Sequence, residues 1–416
     1  MSMATSLPLP QHFFLCPPLT DGEVAHFLVQ ASQNAMNVVS KAQLRGGCVP
    51  WTLMSDEADA KIYKAYDESN GSTLHCGVTQ VVGTIEEVAA LFKTETTEDA
   101  KEYCRRFGNR LLDAVVLYNV KPSSADTPLE KVGISWRAFK SPGGKIILNR
   151  DTCVLESHHE FKLGTQRGWV CALTSIEHPC CPDLEQELGL VRMQNYGSGH
   201  VVVESKTRPG YLDITYVTHV DVSLGKSEWV LDAVLRQKSW LADISMKKRC
   251  RNVAKIDQFL RENRLSQSRL LQCDAMVPVA SCRKCFLCQS NFGPWKKRWN
   301  CLKCGQVVCT GCSRLWQLVG GDSSRRKPAR FCTMCSSAPR THMPTVIDVK
   351  RCNVGGNSNR GRRGQWHPIR DLRNSANSIN DATTIASSDS EPPNHDRFVL
   401  LAPKQNTAHD VVLTKV

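Results

Sequence analysis

The sequence predicts an α+β chain: a curved antiparallel sheet with a long closing helix, then a small cross-braced finger for two zinc ions, then a disordered tail. Three observations carry this. Strand-like alternation fills most of the stretch between a helical pattern that begins at Asp21 and another that ends near Leu265. Four Cys-x-x-Cys pairs fall between Cys285 and Cys335. After about residue 345 the chain turns to Asn, Ser, Gly, Asp and Pro.

Taken in order, residues 1–20 are Pro-rich and expected to be loose. From Asp21, Val24, Phe27, Leu28, Ala31, Ala35, Val38 and Val39 recur at helical spacing until "RGG" after Leu44 ends the run. Short helical patterns start at Thr84 and Thr97. Val132, Ile134, Trp136 and Ala138 alternate with Gly133, Ser135, Arg137 and Phe139, and "SPGG" at 141–144 follows as a turn. His158 and His159 are adjacent in a strand pattern, so they point to opposite faces and form no joint site. Leu212, Ile214, Tyr216, Val220 and Val222 line one side of a half-buried strand, which Pro209-Gly210 pairs with "HVVVESK".

A long helical pattern opens at Ser227, a fitting N-cap with Glu228 in the first turn. Its stripe is Leu231, Val234, Leu235 and Leu241, continued by Val253, Ile256 and Leu260. Such a helix is the natural cover for one face of the sheet. The resulting division is a large domain over 21–265, a linker over 266–281, a finger over 282–340 and a tail over 341–416.

Composition agrees with two folded parts. The chain has 416 residues, of which 41% are hydrophobic, enough for a sizeable core. Its formal charge of +13 is local. Residues 1–280 carry 31 basic and 32 acidic side chains, whereas residues 281–345 carry 12 and 1. A block of that kind attracts polyanions, nucleic acid or the anionic face of a membrane, while the larger part implies no charged partner. "RGRRG" in the tail reads as a solvated linker, which makes nucleic acid the weaker partner. The opening residues lack a basic n-region and are broken by prolines, and no run of about 18 apolar residues occurs, so the expected compartment is intracellular and reducing. There, clustered cysteines hold metal more often than they form disulfides.

Eight thiolates in four pairs make two complete tetrahedral sets, with no open coordination position for a reacting water. Only "GQVV" separates Cys304 from Cys309, so neighbouring pairs would crowd and interleaving follows. Cys285, Cys288, Cys309 and Cys312 would then hold one zinc, and Cys301, Cys304, Cys332 and Cys335 the other. "CRKCFLC" contains the spacing twice, so Cys282 competes with Cys288 as partner of Cys285; Cys288 is preferred. A segment this short and this poor in large apolar side chains needs metal in place of a core.

Two resemblances sharpen the reading. "GTIEEVAALF", "NRDTCVLESHHEF", "RGWVCALTSIEHPCC" and "ESKTRPGYLDITYVTHVDV" resemble the START-type lipid-transfer domain, in the form joined to a zinc finger in oomycete proteins. That implies a helix-grip fold with an apolar cavity for one lipid. "CFLCQSNFGPWKKRWNCLKCGQVVCTGC" followed by "RFCTMC" resembles a FYVE-type finger, with Phe292, Gly305 and Arg330 in family positions. The resemblance implies the same interleaved pairing and a peripheral role on endosomal membranes through phosphatidylinositol 3-phosphate.

The lipid-reading core of that family is basic-basic-His-His-Cys-Arg-x-Cys-Gly. Here the places of the two histidines hold Trp299 and Asn300, and Leu302 stands for the arginine. The tryptophan-and-aspartate element before the first cysteine is missing too. What remains for a membrane or phosphate is Trp295, Lys296, Lys297, Arg298 and Arg330, so charge is retained while directed hydrogen bonds are lost. The expectation is a non-enzymatic, cytoplasmic adaptor of lipid or membrane, peripheral on endosomes. A protein-binding or ubiquitin-ligase-like finger is the alternative, although ring-type ligases carry a histidine among their ligands and none stands here.

Overall fold

A computed structural model describes residues 7–10, 12–69, 71–107, 110–141, 148–221, 239–293, 295–319, 326–337 and 398–400. Helix α1 (Asp21–Lys41) starts at a capping box, in which the Thr20 side chain accepts from the Glu23 amide and the Glu23 carboxylate accepts from the Thr20 amide. Strands β1 (Thr52–Asp56), β2 (Lys61–Asp67) and β3 (Ser72–Val82) form a meander. Helices α2 (Ile85–Ala89) and α3 (Thr97–Phe107) follow, and α2 repeats the capping box with Thr84 and Glu87. Then come β4 (Leu111–Lys121), β5 (Lys131–Phe139), β6 (Asn149–Leu163) and β7 (Gln166–Ser175). Short α4 (Glu185–Leu188), β8 (Leu190–Arg192) and β9 (Gln194–Asn195) lead to the hairpin of β10 (Ser198–Glu204) and β11 (Tyr211–Asp221). Helices α5 (Ser239–Arg251) and α6 (Lys255–Ser266) close the large domain.

Along the sheet the strands run β1-β2-β3-β11-β10-β7-β6-β5-β4, each pair antiparallel. The chain thus lays down three strands, crosses through α2 and α3 to the far edge, and fills inward until β11 meets β3. One face carries α1: Phe27 and Ala31 pack with Ile134, Trp136 and Leu155, while Ala35, Val38 and Val39 pack with Phe161, Val170 and Val201. The opposite face carries α2, α5 and α6, whose Val88, Cys250, Ile256, Phe259 and Leu260 share a core with Trp169, Val202, Ile214 and Tyr216. The layout is the helix-grip arrangement that the START resemblance implies.

Four local expectations need correction or limits. Residues 7–20 are not loose where described, since Leu9 and Phe14 are buried against the α1 face of the sheet and Tyr118 donates to the Pro17 carbonyl at 2.8 Å. The helix expected from Ser227 lies outside the described residues up to 238, together with Leu231, Val234 and Leu235, and so does most of "SPGG". From Ser239 onward it is helical but is interrupted by a 3-10 turn at Asn252–Ala254. Residues 266–281 do not form a free linker: the Leu271 amide donates to Leu302 and the Val277 amide to Gly305. Of the tail, residues 341–397 and 401–416 lie outside the described set, and Phe398–Leu400 form a strand paired with β6.

The alternation in β5 has a second meaning. Ser135 and Arg137, on the face away from Trp136, are buried too. Arg137 meets Glu156 of β6, which also accepts from Lys131 Nζ at 2.9 Å and from Thr94 Oγ1 at 2.7 Å. His158 Nε2 lies 2.9 Å from the same carboxylate, whereas His159, on the other face, leaves Nε2 without a hydrogen-bond partner among the described residues.

A further polar knot joins α1 to the sheet. Lys41 Nζ donates to the Tyr196 carbonyl at 2.8 Å and lies 2.9 Å from His219 Nδ1, while His219 Nε2 lies 2.6 Å from Ser72 Oγ. Burial lowers the Lys41 pKa to about 8, so the ammonium remains the donor at neutral pH. Nδ1 is then the acceptor and Nε2 the protonated nitrogen, the wrong tautomer for His219 to take a proton from Ser72.

Burial also pushes three histidines down to about 4, with further lowering by Lys131 at His158, by His158 at His159 and by Lys41 at His219. A depressed folded-state pKa keeps its full stability above the unfolded value of about 6.5 and loses it as pH falls toward 4. Each histidine costs about 1.4 kcal/mol per pH unit in that window. Thermal melts should therefore show a midpoint that is flat above pH 7 and falls steeply from pH 6.5 to 5. A midpoint unchanged across that range would contradict the neutral assignment.

Candidate metal centre

Four cysteine pairs reach two points in space by different local means. Cys285 and Cys288 sit on a tight knuckle in which the Gln289 amide donates to the Cys285 carbonyl and Gln289 takes a positive φ of 55°. The second knuckle repeats the pattern at Cys301 and Cys304, with the Gly305 amide donating to the Cys301 carbonyl at 2.8 Å. Gly305 has φ 71°, and a Cβ there would stand 3.1 Å from Leu271 Cδ1, so glycine eases both the turn and the close approach of the preceding segment. The hairpin of β12 (Arg298–Asn300) and β13 (Val307–Cys309) carries the second knuckle and ends at Cys309, with Cys312 in the following 3-10 turn. A second hairpin, β14 (Ser313–Val319) and β15 (Arg326–Cys332), delivers Cys332, and α7 (Thr333–Ser337) delivers Cys335.

The resulting tetrads are Cys285, Cys288, Cys309 and Cys312, and Cys301, Cys304, Cys332 and Cys335, each with all four sulfurs within 4.8 Å of one another. A Zn–S bond of about 2.3 Å in a tetrahedron sets sulfurs about 3.8 Å apart. Cys288 and Cys309 lie 3.8 Å apart and Cys304 and Cys332 4.0 Å apart, so both sets fit such an ion. Amides of Cys309 and Cys335 point at the sulfurs of Cys285 and Cys332, each at 3.3 Å, which favours thiolate ligands. Cys282 is buried in the same core but belongs to neither tetrad. A third group, Glu156, His158 and Cys171, is less suited to a cation because Lys131 and Arg137 already occupy the carboxylate.

Around the tetrads the basic residues divide. Trp295 is 95% exposed, with Lys296 and Lys297 exposed next to it. Arg298 is turned inward: its guanidinium lies 5.3 Å from the ring centre of buried Phe292 and donates to the Val279 carbonyl at 3.5 Å. Arg330 stacks on Trp299 at 4.3 Å and donates to Ser313 Oγ at 3.2 Å. Trp299 is 37% exposed, hence a lid for Arg330 on the surface and not a core residue. Asn300 donates to the carbonyls of Val277 and Gly305 at 2.8 and 2.9 Å, so it fastens the segment before the first cysteine pair to the second knuckle.

Residues 275–341 match the FYVE zinc finger family. The FYVE-type finger therefore begins before Cys282, in agreement with the docking of Val277. Among curated proteins, "Pleckstrin homology domain-containing family F member 2" of Gallus gallus is 42% identical over 76 residues, 18% of this chain and 30% of that protein. Its Homo sapiens counterpart is 42% identical over 60 residues, 14% and 23% respectively. The chain thus spans less than a third of the length of these relatives. Solved structures similar to the chain include human StAR-related lipid transfer protein 5, at 18% identity over 54% of this chain and 98% of that one, with a TM-score of 0.37. Human STARD10 is 17% identical over 59% of this chain and 83% of that one, with a TM-score of 0.34.

The FYVE-type finger also leans on the large domain. Leu265, on the last turn of α6, is buried in the finger's core with Phe292, Val308, Trp316 and Phe331. Glu262 of α6 accepts from the Gln317 amide at 3.4 Å, and Arg261 donates to Ser337 Oγ at 3.1 Å. Sequence reasoning missed this seam and the Trp299–Arg330 stack; a hint of the seam lay in Leu265 and Glu262, which fall off the stripe of Val253, Ile256 and Leu260.

Proposed function

We propose that the chain is a non-enzymatic membrane adaptor: its finger binds two zinc ions and docks on an anionic bilayer, and its START-like domain carries a lipid. The observation that carries the docking step is Trp295, 95% exposed between the zinc-ligand knuckles and flanked by Lys296 and Lys297. An indole suits the headgroup boundary, and each lysine adds about 1 kcal/mol against an anionic surface. Among the described residues no helix is long and apolar enough to cross a membrane, so a surface contact of this kind is what the reading requires.

Selectivity for phosphatidylinositol 3-phosphate is weak in this reading. Arg298 and Arg330 are engaged with Phe292 and Trp299, and Asn300 spends its amide on two carbonyls. Sedimentation of the zinc-loaded chain with vesicles tests it. Equal binding to phosphatidylinositol 3-phosphate and to phosphatidylserine vesicles of matched charge is expected, and a preference beyond about tenfold would restore a stereospecific pocket. Trp295→Ala should weaken vesicle binding about fivefold to thirtyfold while leaving the zinc content unchanged, since a buried aromatic side chain contributes on the order of 1–2 kcal/mol. Unchanged binding would remove Trp295 from the contact. Native mass spectrometry should show a co-purified lipid, and its repeated absence would leave the large domain without that role. Endosomal residence follows if the anionic surface is met there.

A further inference from the structure

Strand β6 is longer than its neighbour. It runs 15 residues from Asn149 to Leu163, and β7 accompanies it to the end, pairing Leu163 with Gln166. On the other side β5 stops at the pair Lys131↔His158, which leaves residues 159–163 with one open backbone edge. An open edge of this kind is a template for any extended strand unless something covers it. Here β16 (Phe398–Leu400) covers it, antiparallel, with Phe398↔Leu163, Val399↔Lys162 and Leu400↔Phe161.

The fit extends to side chains. Leu400 packs into the cluster formed by Val38 and Val39 of α1 with Phe161, Val170 and Val201, and Leu163 lies in the same cluster. The groove floor is closely packed: Phe161 is fully buried and lies over Gly168, where an added Cβ would stand 2.4 Å from its ring. On the ligand side, "FVLLA" at 398–402 is the longest apolar run in residues 346–416, and Pro403 ends its capacity to pair.

We propose that the open edge of β6 over residues 159–163 is a strand-docking site, and that its resident ligand is the chain's own strand Phe398–Leu400, bound in cis. Three residues of pairing hold an untethered peptide weakly. Because the strand belongs to the same chain, its local concentration at the edge is on the order of millimolar, which keeps the edge closed. Released or removed, the same segment leaves an apolar groove between β6 and α1 that accepts an extended Phe-Val-Leu type strand from elsewhere. The strand at 398–400 thus decides whether the edge is available.

Two chains test this, the full protein and one ending at residue 390, compared after confirming that their far-UV spectra agree. Hydrogen exchange of the amides at 159–163 that point toward β16 should be at least tenfold faster in the shorter chain, with the amides of β7 unchanged. A fluorescent peptide covering residues 394–404 should bind the shorter chain and bind the full chain at least tenfold more weakly, and Leu400→Asp in the peptide should abolish binding. The same substitution in the full chain should reproduce the fast exchange. Equal exchange at 159–163 in both chains would overturn the proposal, as would equal peptide binding to both or binding to neither. Edge protection that vanishes on dilution together with a dimer would also overturn it, because the occupant would then be a second copy.

Discussion

Stripping the zinc-loaded chain with a strong chelator should unfold residues 285–337 and abolish vesicle binding. Besides the cysteines, the finger's buried apolar residues among those described are few: Leu265, Phe292, Val307, Val308, Trp316, Leu318, Ala329 and Phe331. That core is too small to hold a domain alone, whereas each closed tetrathiolate site contributes on the order of 10 kcal/mol to folding. Metal analysis should give two zinc ions per chain, and single cysteine-to-serine changes should leave one. Double variants separate the pairing schemes. Cys301→Ser with Cys332→Ser should cost one ion, because both belong to one tetrad, while Cys285→Ser with Cys301→Ser should cost both. The reverse pattern would sink the interleaved arrangement.

The second large effect concerns the large domain. Glu156→Leu should destabilise it by about 3–5 kcal/mol, because Lys131 and Arg137 would remain buried without a counter-charge. Chemical denaturation monitored by tryptophan fluorescence measures this, and a loss below 1 kcal/mol would mean that water or another group takes over the carboxylate's role. Burial pushes the Glu156 carboxyl up, yet Lys131, Arg137 and the hydrogen bond from His158 together hold it well below its ordinary range. The sign follows from that depression: its contribution is complete above the unfolded pKa of about 4.3 and is lost only as pH falls further. Acid destabilisation between pH 6.5 and 5 therefore belongs to the buried histidines, and the Glu156 variant should retain it.

How legible this was in the sequence depends on range. Helix α1 and the cysteine pairs are local patterns, written in spacings of three or four residues, and they were readable. The buried ions were not. A strand with alternating polar residues implies a solvated face, yet Ser135, Arg137 and Glu156 are buried, with the Tyr103 ring of α3 6.0 Å from the Arg137 guanidinium. The packed arm at Leu9 and Phe14 escaped because prolines suggest looseness, although they also suit an extended strap along a sheet. Trp299 and Asn300 could be seen as departures from a family pattern, but their partners Arg330 and Val277 lie 31 and 23 residues away, beyond any periodicity. The strand at 398–400 showed itself only as an apolar run, without a sign of where it would pair.

Helix α6 finishes two cores at once, with Phe259 and Leu260 in the sheet domain and Leu265 in the finger. A boundary cut anywhere in this helix would leave one of the two without its last wall. Because the shared element is continuous, the finger's folding equilibrium is coupled to that of the sheet. Free zinc then becomes a thermal stabiliser of a domain that contains no zinc ligand, and the melting temperature of the sheet domain reports on the metal supply of the finger.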